Sequence, residues 1–174
     1  MKNLWILFLF FTFAASPVIA QTKEEKKKQK EELALKEYET TKALINSKTY
    51  NFQAEWATSQ KGRRINLSTN PNHLKIENDE ADIYLPYFGE VHSSSIGLST
   101  EGGIVFEGTI ENYKVEFNDK KQKAVIKFSA NGKYDRFDFT LIVYKSGSSN
   151  LNVTSNIRST IKYDGKINEL KKNK

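Results

Sequence analysis

The chain has 174 residues, with 27 lysines and arginines, 21 aspartates and glutamates, two histidines and no cysteine. This length allows one domain of ordinary size after a processed segment is removed. The absence of cysteine excludes disulfide bonds and lipid attachment to a cysteine, so the fold depends on its own core.

The first twenty residues have the three-part layout of a secretory signal peptide. A single lysine, Lys2, precedes a run of 12 residues from Leu4 to Ala15, which is too short for the roughly 20 apolar residues of a membrane-spanning helix. A proline follows, and Val18 and Ala20 occupy the −3 and −1 positions of a cleavage site. We predict cleavage after Ala20, export to the periplasm or the medium, and membrane contact through the signal peptide alone.

Export also limits the partners of the protein. Removal of Lys2 leaves 26 basic and 21 acidic residues, a mature net charge of +5, and much of the excess comes from lysines near the two ends. An exported protein does not meet nucleic acid, and a charge this small leaves only a weak attraction to acidic glycans or envelope phosphates. We expect a monomer that holds no cofactor.

Residues 21–48 are predicted to form a charged tether and a helix. The segment has no glycine or proline and is dense in Lys, Glu, Leu and Ala, which are strong helix formers. Apolar side chains occur mainly in its second half, where Ala34, Tyr38, Thr41 and Ile45 share one face. We predict an exposed, charged start and a docked end; a helix that contacts a membrane surface or a partner is the alternative.

Residues 49–168 are predicted to form a single β-rich domain, because the hydrophobic period changes there from helical to alternating. Clusters of Asn, Asp, Gly and Ser separate the runs, and Asn131-Gly132 is a pair that favours a type I′ hairpin turn. The alternation assigns these apolar faces: Phe52, Ala54 and Trp56; Ile104, Phe106, Gly108 and Ile110; Tyr113, Val115 and Phe117; Ala124, Ile126 and Phe128; Phe137, Phe139, Leu141 and Val143; Leu151, Val153, Ile157, Ile161 and Tyr163.

The connections between these runs are too short to hold a crossover helix, so the strands pair as an antiparallel meander. Each strand has one apolar face, which requires the sheet to curl on itself or to pack on a second sheet. We therefore predict an all-β domain of about eight to ten strands, a barrel or a sandwich, preceded by one charged N-terminal helix. Residues 169–174 are predicted to be a disordered basic tail.

Few residues offer catalytic or metal-binding chemistry. The two histidines, His73 and His92, lie in no His-x-His or His-Glu-x-x-His spacing, so we expect no metal site. His92 precedes three serines, but neighbours on an extended chain point to opposite faces, so His92 and Ser93 do not pair readily. We predict no enzyme; the alternative is a small hydrolase that uses His92, a nearby serine and a carboxylate such as Asp82.

The segment YLPYFGEV, residues 84–91, concentrates aromatic side chains around a proline and a glycine. Pro86 cannot donate a hydrogen bond to a strand ladder, so it ends or kinks its strand, and Gly89 permits a crowded backbone. Packing of the three rings in a corner of the core is one interpretation. A binding surface is the other, because Tyr and Arg are enriched at recognition sites, and its candidate residues are Tyr84, Tyr87, Phe88 and Arg158.

These motifs together resemble a family of exported Bacteroidetes domains that is known only as a domain of unknown function. The resemblance implies a β-rich single domain in the periplasm or envelope and implies no catalytic residues. One departure is Glu90, because members of this family often have a basic residue after Phe-Gly. The likeness covers residues 44–167 and is most specific at Leu85-Pro86-Tyr87-Phe88-Gly89, at residues 103–106, and at Asn156, Arg158, Tyr163 and Gly165.

The sequence thus favours a non-enzymatic binding or interaction domain, whose partner is a small apolar ligand or an envelope protein. A cavity lined by aromatic side chains would favour the small ligand, whereas a filled core would favour contact with a protein. Besides the hydrolase, the remaining alternative is an envelope-assembly protein that contacts its partner through the N-terminal helix.

Overall fold

A computed structural model describes residues 23–92, 103–132 and 135–170. In these ranges one helix precedes ten antiparallel strands, which form a single sheet curled into a nearly closed barrel. The predicted fold class is therefore confirmed, with the barrel realised and not the sandwich. The elements are α1 (Lys23–Asn46), β1 (Thr49–Ser59), β2 (Arg64–Asn66), β3 (His73–Glu77), β4 (Glu80–Pro86), β5 (Gly103–Thr109), β6 (Glu111–Asn118), β7 (Lys123–Asn131), β8 (Arg136–Tyr144), β9 (Ser148–Ser155) and β10 (Ile161–Glu169).

Two predicted segments lie largely outside the described residues. The described ranges include neither the signal peptide, residues 1–20, nor residues 171–174 of the predicted tail. Strand β10 extends to Glu169, one residue into that tail. Across the ranges that the structure does describe, no helix has the length and hydropathy needed to cross a membrane.

The barrel closes through the two edge strands of the sheet. The strand order is β5-β4-β3-β1-β10-β9-β8-β7-β6, with β2 paired to β1 beside this path. The edge strands β5 and β6 are nevertheless consecutive in the chain and are separated only by Ile110. One continuous segment therefore pairs with β4 at one edge and with β7 at the other, and this covalent connection holds the two edges of the sheet together.

The backbone bends where β5 continues into β6. Gly108 and Asn112 have positive φ angles of 144° and 57°, values that glycine and asparagine adopt more readily than other residues. Between them Ile110 is buried, and its N–H donates to the Asp79 carbonyl in the β3–β4 turn at 2.8 Å. The chain thus changes its partner strand without exposing the apolar side chain at the bend.

Side chains fill the interior of the barrel. Tyr50, Phe52, Phe139 and Tyr163 are among its largest fully buried groups. The rings of Phe128 and Phe139 stack with their centroids 4.7 Å apart, a spacing typical of favourable aromatic pairs. These side chains occupy the space in which a ligand-binding barrel holds its ligand, so the barrel is a packed scaffold.

The last turns of α1 dock on one end of the barrel, as the apolar stripe predicts. Its buried residues are Tyr38, Thr41 and Ile45. The Tyr38 hydroxyl donates to Asp119 Oδ1 at 2.9 Å, and Thr41 Oγ1 donates to the Lys145 carbonyl at 2.7 Å. Because these partners lie in the β6–β7 and β8–β9 turns, α1 covers the end of the barrel that holds those turns. We call this the helix end and the opposite end the far end.

A β-bulge in β1 changes which side of the strand Trp56 occupies. Alternation places Trp56 in the core beside Phe52 and Ala54, but the register of β1 against β10 shifts between Ala54 and Trp56. The extra residue reverses the facing of the residues after it, so Ala57 is buried and Trp56 is partly exposed. The Arg64 guanidinium lies 4.6 Å from the Trp56 ring centroid. The prediction of Trp56 as a core residue was wrong.

The β7–β8 hairpin also differs from the prediction. Asn131 pairs with Arg136 in the ladder, so β7 ends at Asn131 and β8 begins at Arg136. Neither Asn131 nor Gly132 has a positive φ, which a type I′ turn requires at both central positions. The predicted turn type was therefore wrong, because Asn131 belongs to the strand. Asp135, directly before β8, lies at the far end, where its carbonyl accepts from Gly132 N–H at 2.8 Å.

Candidate binding site

The far end is covered by the segment that follows β4. Pro86 ends this strand as predicted, and its carbonyl accepts a hydrogen bond of 2.8 Å from the Tyr163 hydroxyl. Burial raises the pKa of Tyr163 well above its ordinary value, so the hydroxyl remains a donor at neutral pH. Beyond Pro86, Val91 forms an isolated antiparallel bridge with Arg158. The segment therefore runs beside the β9–β10 connection.

The buried Tyr87 side chain anchors this segment to the β9–β10 connection. It is 8% exposed, and its hydroxyl lies 2.8 Å from the Glu90 carbonyl, 2.9 Å from the Ser159 carbonyl and 3.0 Å from Ser159 Oγ. Ser159 Oγ in turn accepts from the Glu90 N–H at 2.8 Å. A Cβ on Gly89 would lie 2.3 Å from the Tyr87 hydroxyl oxygen. The Tyr-Phe-Gly order thus has a steric basis: the hydroxyl needs the space that glycine leaves.

Arg158 is the second buried element of the far end. Its Nε donates to Asp135 Oδ2 at 3.2 Å, and the two side chains are 12% and 4% exposed. Ser155 Oγ lies 2.8 and 2.7 Å from the two Asp135 carboxylate oxygens. Arg158 Nη1 donates to the Gly103 carbonyl at 3.2 Å. Because Asp135 precedes β8 and Gly103 opens β5, Arg158 connects opposite parts of the sheet at the end of the barrel.

Phe88 turns outward although Tyr87 beside it is buried. Its side chain is 36% exposed and lines a groove of about 280 Å³. We call this concave surface the Phe88 groove; Lys61, Glu90 and His92 also line it. The Lys61 ammonium pairs with the Glu90 carboxylate, and this hydrogen bond lowers the pKa of Glu90. The groove therefore presents an aromatic ring beside an ion pair and an imidazole.

Tyr84 lies apart from the other candidate residues. It is 44% exposed on the outer face of β4, where it pairs with His73 of β3 and Val105 of β5. Its ring centroid lies 6.2 Å from that of His73. The structure thus brings Tyr87 and Arg158 together in a buried corner. It turns Phe88 outward beside this corner and places Tyr84 on the flank of the barrel.

The carboxylate considered for a hydrolase binds the other histidine. Asp82 Oδ1 lies 2.8 Å from His73 Nε2, and Asp82 Oδ2 accepts from Lys75 Nζ at 2.6 Å. Burial alone would raise the pKa of Asp82, but the hydrogen bonds from Lys75 and His73 outweigh it and lower this pKa. His92 lines the Phe88 groove instead, and residues 93–95 lie outside the described ranges. Within those ranges, no three His, Asp or Glu side chains are grouped to hold a metal ion.

Two further grooves, of about 630 and 450 Å³, flank α1 and share Thr40, Thr41 and Ser146. They lie along the contact between α1 and the rim of the barrel, whereas the Phe88 groove presents a partly exposed aromatic ring beside an ion pair. We therefore give the Phe88 groove more weight as a binding site.

Sequence reasoning missed the residues that hold the far end together. Asp135 and Ser159 lie in connections, where no hydrophobic period marks a buried position. Their partners are distant in the chain, 23 residues from Asp135 to Arg158 and 72 from Tyr87 to Ser159. A single sequence contains no local signal for such pairs.

Comparison with known proteins agrees with this architecture. A family model described as "Domain of unknown function (DUF4251)" matches residues 32–167, which confirms the resemblance seen in the sequence. The crystal structure of a DUF4251 family protein from Bacteroides eggerthii DSM 20697 superposes with a TM-score of 0.60 and 16% identity, covering 76% of this chain and 87% of that chain. At this identity the similarity concerns the fold alone. No curated protein matches the chain.

Proposed function

The chain belongs to the DUF4251 family of unknown function, and we propose that it is an exported, non-enzymatic interaction domain that binds an envelope protein through the Phe88 groove. The signal-peptide layout of residues 1–20 supports export. The packed interior supports a protein partner over a small enclosed ligand, because aromatic and aliphatic side chains already occupy the barrel.

The observation that carries this proposal is an exposed aromatic ring on a fastened backbone. Hydrogen bonds from Glu90 N–H to Ser159 Oγ and from His92 N–H to the Ile157 carbonyl, 2.8 and 2.7 Å long, hold the segment around Phe88. Fully burying a phenylalanine side chain contributes roughly 1.5–3 kcal/mol to the free energy of folding. Because Phe88 is partly exposed, the folded chain gains only part of this free energy. A side chain on a backbone that is already fixed requires less ordering of the chain when a partner covers it.

The chemistry of the groove indicates what would fit. Its volume of about 280 Å³ admits one or two side chains of a partner. Phe88 offers an apolar contact, while Lys61, Glu90 and His92 offer charged and hydrogen-bonding contacts at the rim. Interfaces commonly combine such an aromatic anchor with a polar surround. We expect the partner to insert an apolar side chain that is flanked by polar residues.

A photo-crosslinking amino acid in place of Phe88 tests this proposal in cells. We expect a discrete adduct with one envelope protein, and none from the same group at Val105, an exposed control position on the barrel flank (60% exposed). The captured protein is then purified and titrated with the unmodified chain. Phe88→Ala should weaken that binding by at least about tenfold, while the free energy of unfolding falls by no more than about 2 kcal/mol, because the ring is already partly exposed.

Two results would contradict the proposal. One is an identical pattern of adducts from positions 88 and 105, which would show that the groove selects no partner. The other is unchanged affinity of Phe88→Ala for the purified protein, which would show that the ring is not part of the contact.

A further inference from the structure

A second candidate groove lies on the outer face of the barrel, across strands β6, β7 and β8. Its volume is about 280 Å³, at the lower end of the sizes of small-molecule sites. The register of β6 against β7 shifts between Glu111 and Lys114, and Asn112, which lies in this β-bulge with a φ of 57°, lines the groove. Bulges are common beside functional sites, where they redirect side chains. We call this surface the β6–β8 groove.

Two lysines face each other across this groove. Lys114 of β6 pairs directly with Lys127 of β7, and both residues are exposed and line the groove. Like charges at directly opposite positions destabilise a sheet. In the part of the chain that the structure describes, neither ammonium group forms an ion pair or a hydrogen bond with another residue. The fold therefore brings two positive charges together without neutralising them.

Two neutral donors line the same surface. Thr140 of β8 lies opposite Lys127 in the ladder, and Asn112 belongs to the bulge. Among the described residues, the Thr140 hydroxyl and the Asn112 side-chain amide form no hydrogen bond with another residue. Four side chains that can donate hydrogen bonds, two of them cationic, thus line one concave surface without a partner in the described protein.

One carboxylate also lines the groove. Asp138 Oδ1 accepts from Ser129 Oγ at 2.6 Å and lies 3.7 Å from Arg136 Nε, so a hydroxyl and a guanidinium already engage it. Two lysines and this one aspartate give the lining side chains a net charge of +1. A sugar with an anionic group suits this arrangement, because it can present the anion to the lysines and a hydroxyl to Asp138.

We propose that the β6–β8 groove binds one anionic sugar unit, whose carboxylate or phosphate group lies between Lys114 and Lys127. Hydrogen bonds from ammonium groups to an oxyanion are roughly twice as strong as neutral ones, and the anion relieves the repulsion between the two lysines. Thr140 and Asn112 donate further hydrogen bonds, and Asp138 accepts one from a sugar hydroxyl. The volume of the groove limits the ligand to about one sugar unit. This site does not depend on the Phe88 groove.

Amide chemical-shift titrations of the chain from Gln21 onward test this inference with galacturonate and glucose 6-phosphate. We expect an acidic sugar to shift the amide signals of Asn112, Lys114, Lys127 and Thr140, with weaker binding as salt increases. Neutral galactose and glucose should bind at least about tenfold more weakly, because they lack the group that the lysines contact. The acidic sugar that binds more tightly identifies whether the groove prefers a carboxylate or a phosphate.

Variants separate the groove from the overall charge. Lys114→Gln/Lys127→Gln should bind the preferred acidic sugar at least about tenfold more weakly, and Thr140→Val about threefold more weakly. The matched control, Lys162→Gln/Lys166→Gln, removes two exposed lysines of β10, three strands from β7 and about 14 Å along the sheet. It should lose less than about half of its affinity, because charges at that distance are largely screened.

Three results would overturn the inference. Equal losses in the two double variants would show that net charge, and not the groove, attracts the sugar. Inorganic phosphate and acetate bound as tightly as the acidic sugars would identify an adventitious ion only. Absence of shifts at the four positions with both acidic sugars would show that the groove binds neither. Loss of folding is excluded as the cause of weaker binding if Lys114→Gln/Lys127→Gln keeps the original unfolding midpoint or raises it, as removal of a like-charged pair should.

Discussion

Replacement of Arg158 with alanine should lower the free energy of unfolding by about 3–5 kcal/mol, the cost of leaving one partner of a buried ion pair without its counter-charge. The Asp135 carboxylate is only 4% exposed, so water does not replace the lost guanidinium. The variant also loses the hydrogen bond to the Gly103 carbonyl at the start of β5. Since domains are commonly stable by about 5–15 kcal/mol, the loss should be plain in urea or thermal unfolding.

The same experiment separates a structural role of Arg158 from a role in binding. Arg136→Ala is the matched control, because Arg136 is 41% exposed and lies 3.8 and 3.7 Å from its acidic partners. We expect that variant to lose about 1 kcal/mol or less. In the double variant Arg158→Ala/Asp135→Asn the buried charge is gone, so the combined loss should be smaller than the sum of the single losses. An unfolding energy for Arg158→Ala close to that of Arg136→Ala would refute the structural role.

Gly165→Ala should be destabilising by about 3 kcal/mol or more, at the upper end of what overpacking costs. A Cβ at this position would lie 2.1 Å from the Gln53 carbonyl oxygen and 2.9 Å from Ala54 Cα. Both contacts are backbone atoms of β1, so no side-chain rotation relieves them. Gly165 pairs with Ala54 directly beside the β-bulge, and the two strands must separate to admit a methyl group.

Chemical unfolding of Gly165→Ala, compared with Lys162→Ala, measures this effect. Lys162 is an exposed residue of the same strand, and its replacement should change the unfolding energy by about 0.5 kcal/mol or less. Because Trp56 comes directly after the bulge, its fluorescence should also differ in the folded Gly165→Ala variant. Equal stability of the two variants would mean that the strands do not approach closely at Gly165.

Both variants concern residues that carry the family resemblance, and the structure gives each a physical reason. Gly89 provides space for the Tyr87 hydroxyl, Gly165 admits the backbone of β1, and Arg158 connects β5 with the β7–β8 loop. These roles are structural. Phe88 is different, because hydrogen bonds of Glu90 and His92 hold the backbone segment while the Phe88 ring stays partly exposed. For this reason the proposed binding contact is centred on Phe88 and not on the whole motif.

The sequence by itself determined the secondary-structure elements and, for most of them, which side faces the core. Alternation identified the buried faces of β7 and β8, from Ala124 to Val143, and the period of 3.6 identified Tyr38, Thr41 and Ile45 of α1. Pro86 marked the end of β4 because proline lacks the N–H that a ladder needs. These features are local: the side-chain pattern of a strand or helix records which side of it meets the core.

Only the tertiary structure decided what depends on a partner distant in the chain. The bulge that turns Trp56 outward lies where β1 passes Gly165 of β10, and no residue near Trp56 in the sequence indicates it. Alternation continues past Pro86, since Tyr87 is buried like Ile83 and Leu85 while Phe88 is exposed like Tyr84, but the hydrogen bonds that hold the Tyr87 hydroxyl come from Ser159, 72 residues away. Closure of the barrel likewise results from the pairing of β5 and β6 with strands at opposite edges. Periodicity reports burial along one element, whereas register and ion pairing arise only when separate elements meet.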